Sequence, residues 1–255
     1  MLKKRVIPVL LLKNGRMVKG KKFKDFIDTG DPNTTVKIYS SQDADEIVFL
    51  NISKKEISKK KFINIINEAS KKCSMPLTAG GGITNLEDVK ELIKSGADKV
   101  VITTHLTQDF SIINDIKKKF GSQCIVAGVD YLFNKIKNKI EVLSNCGQTT
   151  TNLNFSEYII NLSSLGVGEI FLNSIDNDGI MRGYDLKTIK HVNQLVDTPI
   201  IACGGAGNFD HIVNLFKETN VSAAACSSLF HFNDYNPIEI RSFLKNNGIK
   251  MRILK

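Results

Sequence analysis

Eight short apolar runs recur along the chain, at Arg5 to Leu12, Glu46 to Ile52, Pro76 to Ala79, Lys99 to Ile102, Cys124 to Val129, Glu169 to Leu172, Thr198 to Ala202 and Ser222 to Cys226. Most lack the alternation of a sheet with one wet face, and they read as parallel strands covered on both sides. Amphipathic stretches lie between them. Leu86 to Ser95 puts Val89, Leu92 and Ile93 on one helical face, and Asp210 to Thr219 does the same with Ile212, Val213, Leu215 and Phe216. Eight strands alternating with helices predict a (β/α)8 TIM barrel ahead of a doubly wound sheet.

An internal repeat supports the barrel. Pro76-Leu-Thr-Ala-Gly-Gly-Gly-Ile-Thr-Asn85 aligns with Pro199-Ile-Ile-Ala-Cys-Gly-Gly-Ala-Gly-Asn208, and Val48-Phe-Leu-Asn51 with Ile170-Phe-Leu-Asn173. The period is far longer than the ~20–50 residues of a solenoid repeat, so it describes two half-barrels, about 1–122 and 123–255. The length of 255 residues suits one such barrel, and no linker or shift in composition marks a boundary. A single domain over 1–255 is expected.

Composition narrows the function classes. A hydrophobic fraction of 42% excludes disorder. No apolar run approaches the ~20 residues of a membrane helix, and the short run behind Lys3, Lys4 and Arg5 lacks a cleavage site, so no membrane association and a cytosolic location are expected. Cys73, Cys124, Cys146, Cys203 and Cys226 are scattered and form no CxxC pair; Cys124, Cys203 and Cys226 fit as small core residues. The net charge of +9 comes largely from lysine clusters at Lys54 to Lys61, Lys117 to Lys119 and Lys135 to Lys139, read as outer helix faces and loops. Without interleaved aromatics they point to solvated surface and not to nucleic acid.

Each half carries a glycine-rich turn between a strand and a helix, Gly80-Gly81-Gly82 and Gly204-Gly205-Ala206-Gly207, followed by a strand ending in hydroxyl residues, Thr103-Thr104 and Ser227-Ser228. Such turns either only tighten a βα connection or expose backbone N–H groups to phosphate at a helix start. Their repetition favours two phosphate cups, one per half, and so a ligand with two phosphates. Asp130, at the end of the fifth strand, is the candidate general acid or base, with loop capping as the alternative. Asp176-Asn-Asp178-Gly179 fits a turn or ligand contact better than a calcium loop, and His105, His191, His211 and His231 are not spaced as metal ligands. Arg5, Glu46, Lys99 and Glu169 begin strands in separate quarters of the barrel and predict a charged ring at its bottom. A structural role for that ring is the alternative.

Taken together, these residues resemble the cyclase subunit of imidazole glycerol phosphate synthase, the HisF family. The similarity runs through Lys4-Arg5-Val-Ile-Pro8, Lys13-Asn-Gly-Arg16, Val18-Lys-Gly20, Gly30-Asp-Pro32, Asp45-Glu46, Thr78-Ala-Gly-Gly-Gly-Ile83, Gly96-Ala-Asp-Lys99, Phe120-Gly-Ser-Gln-Cys124, Asp178-Gly179, Gly183-Tyr-Asp185, Gly204-Gly-Ala-Gly207 and Phe230-His-Phe232. It implies a barrel that receives ammonia from a separate glutaminase subunit docked on its bottom, as a heterodimer. The ring of Arg5, Glu46, Lys99 and Glu169 would be the ammonia gate, and Asp98 and Gln123 would lie on the docking face. At the top, the resemblance implies a bis-phosphorylated ribosyl substrate held at Gly82, Thr104, Gly205 and Ser228, with Lys19, Thr103, Asp178 and Gly179 as further substrate contacts. Neither cofactor nor metal is expected.

Of the family's two catalytic aspartates only Asp130 is kept. The family's Cys-Leu-Asp-Val reads Val9-Leu10-Leu11-Leu12, Asn51 replaces an aspartate in Phe-Leu-Asp-Ile, and Thr103 replaces asparagine. The delivery end matches while the chemical end departs, as in a divergent HisF-like branch that supplies nitrogen for acetamidino modification of sugars in surface glycans. The leading expectation is therefore a synthase subunit that passes ammonia to a phosphorylated acceptor in such a pathway. One alternative is the cyclase of histidine biosynthesis, with Asp178 or Lys19 compensating for Leu11. A second is a non-catalytic scaffold that activates the glutaminase.

Overall fold

The run from Arg5 to Lys13 is apolar on both sides because it is covered on both sides. As the first barrel strand, β1 (Arg5–Lys13), it turns Leu10 and Leu12 toward the surrounding helices and Ile7 and Val9 toward the barrel interior. The computed structural model describes residues 3–53, 56–233 and 235–251, with backbone alone for 56–58. Lys54, at the head of the first lysine cluster, and both chain ends lie outside the described residues.

Seven further strands follow in the barrel: β2 (Ile47–Asn51), β3 (Leu77–Gly80), β4 (Lys99–Ile102), β5 (Ile125–Asn134), β6 (Glu169–Ser174), β7 (Ile200–Cys203) and β8 (Ala223–Cys226). Each pairs in parallel with the next, and β8 pairs with β1 through Arg5 opposite Ala223, which closes the sheet. The architecture is a (β/α)8 TIM barrel. Helices cover its outside, and the two whose amphipathic faces are plainest in the sequence, Leu86–Lys94 and Phe209–Glu218, begin alike. Asn85 and Asn208 are extended and accept hydrogen bonds from the backbone N–H of Asp88 and His211, caps worth about 1 kcal/mol each. No helix among the described residues is long and apolar enough to cross a membrane.

Two hairpins at the mouth depart from the sequence reading. After β1 the chain doubles back as strands Arg16–Lys21 and Lys24–Gly30, in a stretch that none of the eight apolar runs covers. β5 does not stop at Asp130: it continues through Tyr131 to Asn134 and pairs antiparallel with Lys139–Ser144. Lys135 to Lys139 therefore form the hairpin's turn and the start of its returning strand, while Lys117 to Lys119 lie in a helix. The cause is local. Tyr131 and Phe133 face Val142 and Ile140 in strand-favouring pairs, and the Asn134 side chain closes the turn by accepting from the N–H groups of Ile136 and Lys137.

Along the barrel axis, inward side chains form three levels. Arg5, Glu46, Lys99 and Glu169 meet at the bottom. Above them, Ile7, Val9, Val48, Val101, Val126, Phe171, Ile201, Ala223 and Ala225 make a purely apolar layer. The polar ends of β4, β5, β6 and β8 open into the mouth.

Candidate functional site

The bottom ring is closed by ion pairs. Arg5 Nη1 lies 2.7 Å from Glu46 Oε2, Lys99 Nζ lies 2.9 Å from Glu46 and 2.7 Å from Glu169, and Arg5 also pairs with Glu169. Thr78 donates its hydroxyl to Glu46 at 2.7 Å, and Ser222 Oγ accepts from Arg5. Burial works against the charge on Glu169, but Arg5 and Lys99 outweigh it and hold its carboxyl below the usual glutamate range. Asp98 and Gln123, the expected docking residues, are exposed at this end. Asp98 accepts from the N–H of Leu77 at 2.8 Å, and Gln123 donates to the Phe120 carbonyl at 3.3 Å.

At the top a cavity of about 560 Å³ is lined by Asp130, Lys19, Gly82, Thr103, Thr104 and Asp178, six of the positions expected from sequence. Lys19 is 2% exposed and is ion-paired with Asp178. Asp178 also binds the N–H of Phe23, which ties the first hairpin over the mouth. Asp130 accepts from Asn173 Nδ2 at 3.1 Å. Burial pushes its carboxyl up to about 7, opposed by that hydrogen bond and reinforced by the charge of Asp178. A carboxyl titrating there is suited to move protons near neutral pH.

The expected second phosphate cup is arranged differently. Gly82 is open to the cavity, with no atom near the place a Cβ would take. Gly205 is buried under the Gly183 backbone, 2.0 Å from where its Cβ would stand, and Gly183 N–H donates to the Gly205 carbonyl at 2.8 Å. Gly179 packs likewise against the Gly20 carbonyl. Both glycines are packed closely by neighbouring loop backbone, and neither is among the residues lining the cavity. Ser228 begins a four-residue helix and is buried away from the cavity; it is Ser227 that faces it. Both hydroxyl oxygens are buried without a hydrogen-bond partner. Thr104 Oγ1 accepts from the N–H of Asn145 and so positions the second hairpin.

Sequence reasoning missed Asn173 as a lining residue, and took Cys203 for core when it also borders the cavity. The signal was available in strand parity: counting by twos from Glu169 gives Phe171 and Asn173, all facing inward. Phe23 and Phe26, which also line the mouth, carried no such signal, because they sit in a segment read as a loop. Asp176 holds the second hairpin through the N–H of Phe133 at 2.8 Å. Of the histidines, His105 lines the cavity, His191 bonds Ser156, His211 Nδ1 accepts from Gly207, and burial lowers His231 to about 4. Among the described residues no cluster of acidic, histidine or cysteine side chains is arranged to hold a metal.

A family model described as histidine biosynthesis protein matches residues 5–236. The chain belongs to the HisF family of cyclase-type enzymes. It is 41% identical over 253 residues to the imidazole glycerol phosphate synthase subunit HisF of Flavobacterium johnsoniae, covering 99% of this chain and 100% of that one. It is 40% identical to the HisF subunit of a Hydrogenobaculum species with the same coverage, and 38% to that of Staphylococcus carnosus over 99% of both chains. Against this HisF background Leu11 stands out. It lines the mouth cavity at the end of β1, in register with Leu50 of β2, where the resemblance expects a catalytic aspartate.

Replacing Asp130 with asparagine separates stability from chemistry. The raised carboxyl is protonated in the folded chain between the ordinary aspartate range and about 7, so folding is progressively penalised as pH rises through that window. Urea unfolding of Asp130→Asn at pH 8 is expected to show a gain of about 1–3 kcal/mol over the parent. The gain should vanish below the ordinary aspartate range. An equal gain at both pH values would mean that Asp130 is not held protonated.

Proposed function

We propose that this chain is the synthase subunit of a two-protein amidotransferase: it takes ammonia released by a separate glutaminase docked at the barrel's bottom and adds it to a phosphorylated acceptor at the top. The observation that carries this reading is the three-level barrel axis. A charged ring, an apolar layer that neutral ammonia can cross, and a cavity holding Asp130 and the open Gly82 turn lie in sequence along it. Arg5, Glu46, Lys99 and Glu169 act as the gate, Asp130 moves protons, and Lys19, Gly82, Thr103, Thr104 and Asp178 hold the acceptor. The partnerless oxygens of Ser227 and Ser228 support a phosphate near the end of β8.

The names of the curated relatives support the acceptor of histidine biosynthesis, the bis-phosphorylated ribosyl compound closed to an imidazole. A second reading rests on Leu11, a side chain that transfers no proton: the acceptor is then a different phosphorylated compound, an acetamidino-modified sugar in surface-glycan synthesis being the candidate. Ammonium-driven turnover of the ribosyl bis-phosphate by the purified protein tests the first. Turnover at a rate in the range of ordinary enzymes, roughly 1–10³ per second, supports it. Its absence, with amidination of a phosphorylated sugar when the glutaminase and glutamine are present, supports the second. The scaffold alternative requires that Asp130→Asn leave the complete system fully active.

The docking face has its own test. Asp98→Lys is expected to weaken glutaminase binding by about 10-fold or more, read by titration calorimetry. Asp98→Asn, which keeps an acceptor for the Leu77 N–H, should fall between the two. Unchanged affinity in both would place the partner elsewhere.

A further inference from the structure

We propose that Asn173 is the landing site for ammonia at the top of the barrel, its Oδ1 accepting an N–H of the molecule that has crossed the apolar layer while its Nδ2 stays bonded to Asp130. The inference rests on the ammonia-using reading above and adds a residue and a ligand contact to it.

Strand β6 places the parts in order. Glu169, Phe171 and Asn173 alternate onto its inner face, so Asn173 stands about 13 Å along the strand from Glu169 at roughly 3.3 Å per residue. Between them Phe171 packs in the apolar layer with Ile7, Val9, Val48, Val101 and Val126. Ammonia leaving that layer meets its first polar atoms at the ends of the strands. Among the described side chains lining the cavity, the buried atoms with no hydrogen-bond partner are Asn173 Oδ1 and Ser227 Oγ. Asn173 is 7% exposed.

The chemistry separates these two oxygens. Ser227 offers a hydroxyl, donor as well as acceptor, next to the Ser228 turn. The amide oxygen of Asn173 only accepts, and ammonia is rich in N–H donors. The orientation of the amide is set by Asp130: once ionised, above about 7, its carboxylate accepts only, so Nδ2 faces it and Oδ1 becomes the open end. A buried amide oxygen left without a donor is unfavourable, and a small donor completing it removes that penalty. When the nitrogen of ammonia adds to a carbonyl carbon of the acceptor, the C–N bond forms as the C=O π pair moves onto oxygen, and the nitrogen sheds a proton. The carboxylate that can receive it is held by the other end of the same amide.

The test uses the full chain and ammonia itself as the probe. The side-chain amide of Asn173 is assigned in a ¹⁵N spectrum by its loss in Asn173→Asp, then followed at alkaline pH with ammonium chloride against potassium chloride at equal ionic strength. A saturable shift with the ammonium salt alone is expected; no shift, or the same shift with both salts, overturns the inference. Ammonium-driven turnover of the ribosyl bis-phosphate is measured alongside. Asn173→Ala is expected to raise KM for ammonia about 10-fold, the loss of one hydrogen bond, with KM for the acceptor nearly unchanged and any change in kcat read separately as the lost contact with Asp130. Asn173→Ser, which keeps an acceptor, should recover part of it. A saturable shift without turnover keeps the ammonia site and removes the synthase reading for this acceptor. Turnover with no shift and an unchanged KM in Asn173→Ala overturns the site and leaves that reading intact.

Discussion

Replacing Leu11 with aspartate is expected to raise ammonium-driven turnover of the ribosyl bis-phosphate by about 10²- to 10⁴-fold, the usual contribution of one positioned acid or base. Leu11 borders the same cavity as Asp130, on the barrel's inner side at the end of β1. It is partly exposed there and packs beside Leu50, so a carboxylate would reach water and incur little desolvation. The flanking backbone is fixed by pairing on two sides, with β2 and with the strand Arg16–Lys21, so the new side chain inherits a defined position. Leu11→Asn serves as the control: it has similar size and polarity but no proton to transfer, and should gain nothing. If the parent turns over rapidly and Leu11→Asp adds nothing, another group has replaced the missing aspartate and the histidine-pathway reading stands. If Leu11→Asp gains activity from a negligible base, the parent's cavity serves another acceptor.

How far the sequence reveals the molecule depends on whether a feature is set by local pattern or by contact between distant segments. The eight strands were legible because burial on both faces leaves unbroken apolar runs, and the charged ring because Arg5, Glu46, Lys99 and Glu169 are conspicuous at the heads of such runs. The hairpins were not. Their strands carry Lys19, Lys21 and Lys24 in one case and Lys139 and Glu141 in the other, so they read as polar loops. Lys19 was recognisable as part of a family motif, but its burial is visible only once Asp178, far along the chain, closes on it. The same separation explains the glycines. Gly82 and Gly205 occupy equivalent places in the repeat, and nothing within either motif tells that the Gly183 loop lies over one and leaves the other open.

Glu46→Gln is expected to destabilise the barrel by about 3 kcal/mol, the lower end of what breaking a buried ion pair costs. Glu46 is 1% exposed and receives Arg5, Lys99 and Thr78 together. The glutamine keeps the contact with Thr78 but leaves two cations sharing Glu169. Some relief comes from water at the barrel's end, where the side chains of Arg5 and Lys99 retain 14% and 19% of their exposure, and this argues for the lower figure. The ring should also make the protein sensitive to acid. Because Glu169 is held below the usual glutamate range, its contribution is complete above that range and is lost as pH falls through the depressed value. Urea unfolding across pH should therefore show the parent and Glu46→Gln well separated at neutral pH, and the parent losing stability in acid as Glu169 becomes neutral. Adding Arg5→Met to Glu46→Gln should recover part of the loss, since one buried cation is then removed along with one anion. A parent stability that does not fall in acid would assign the ring's contribution to packing instead of charge.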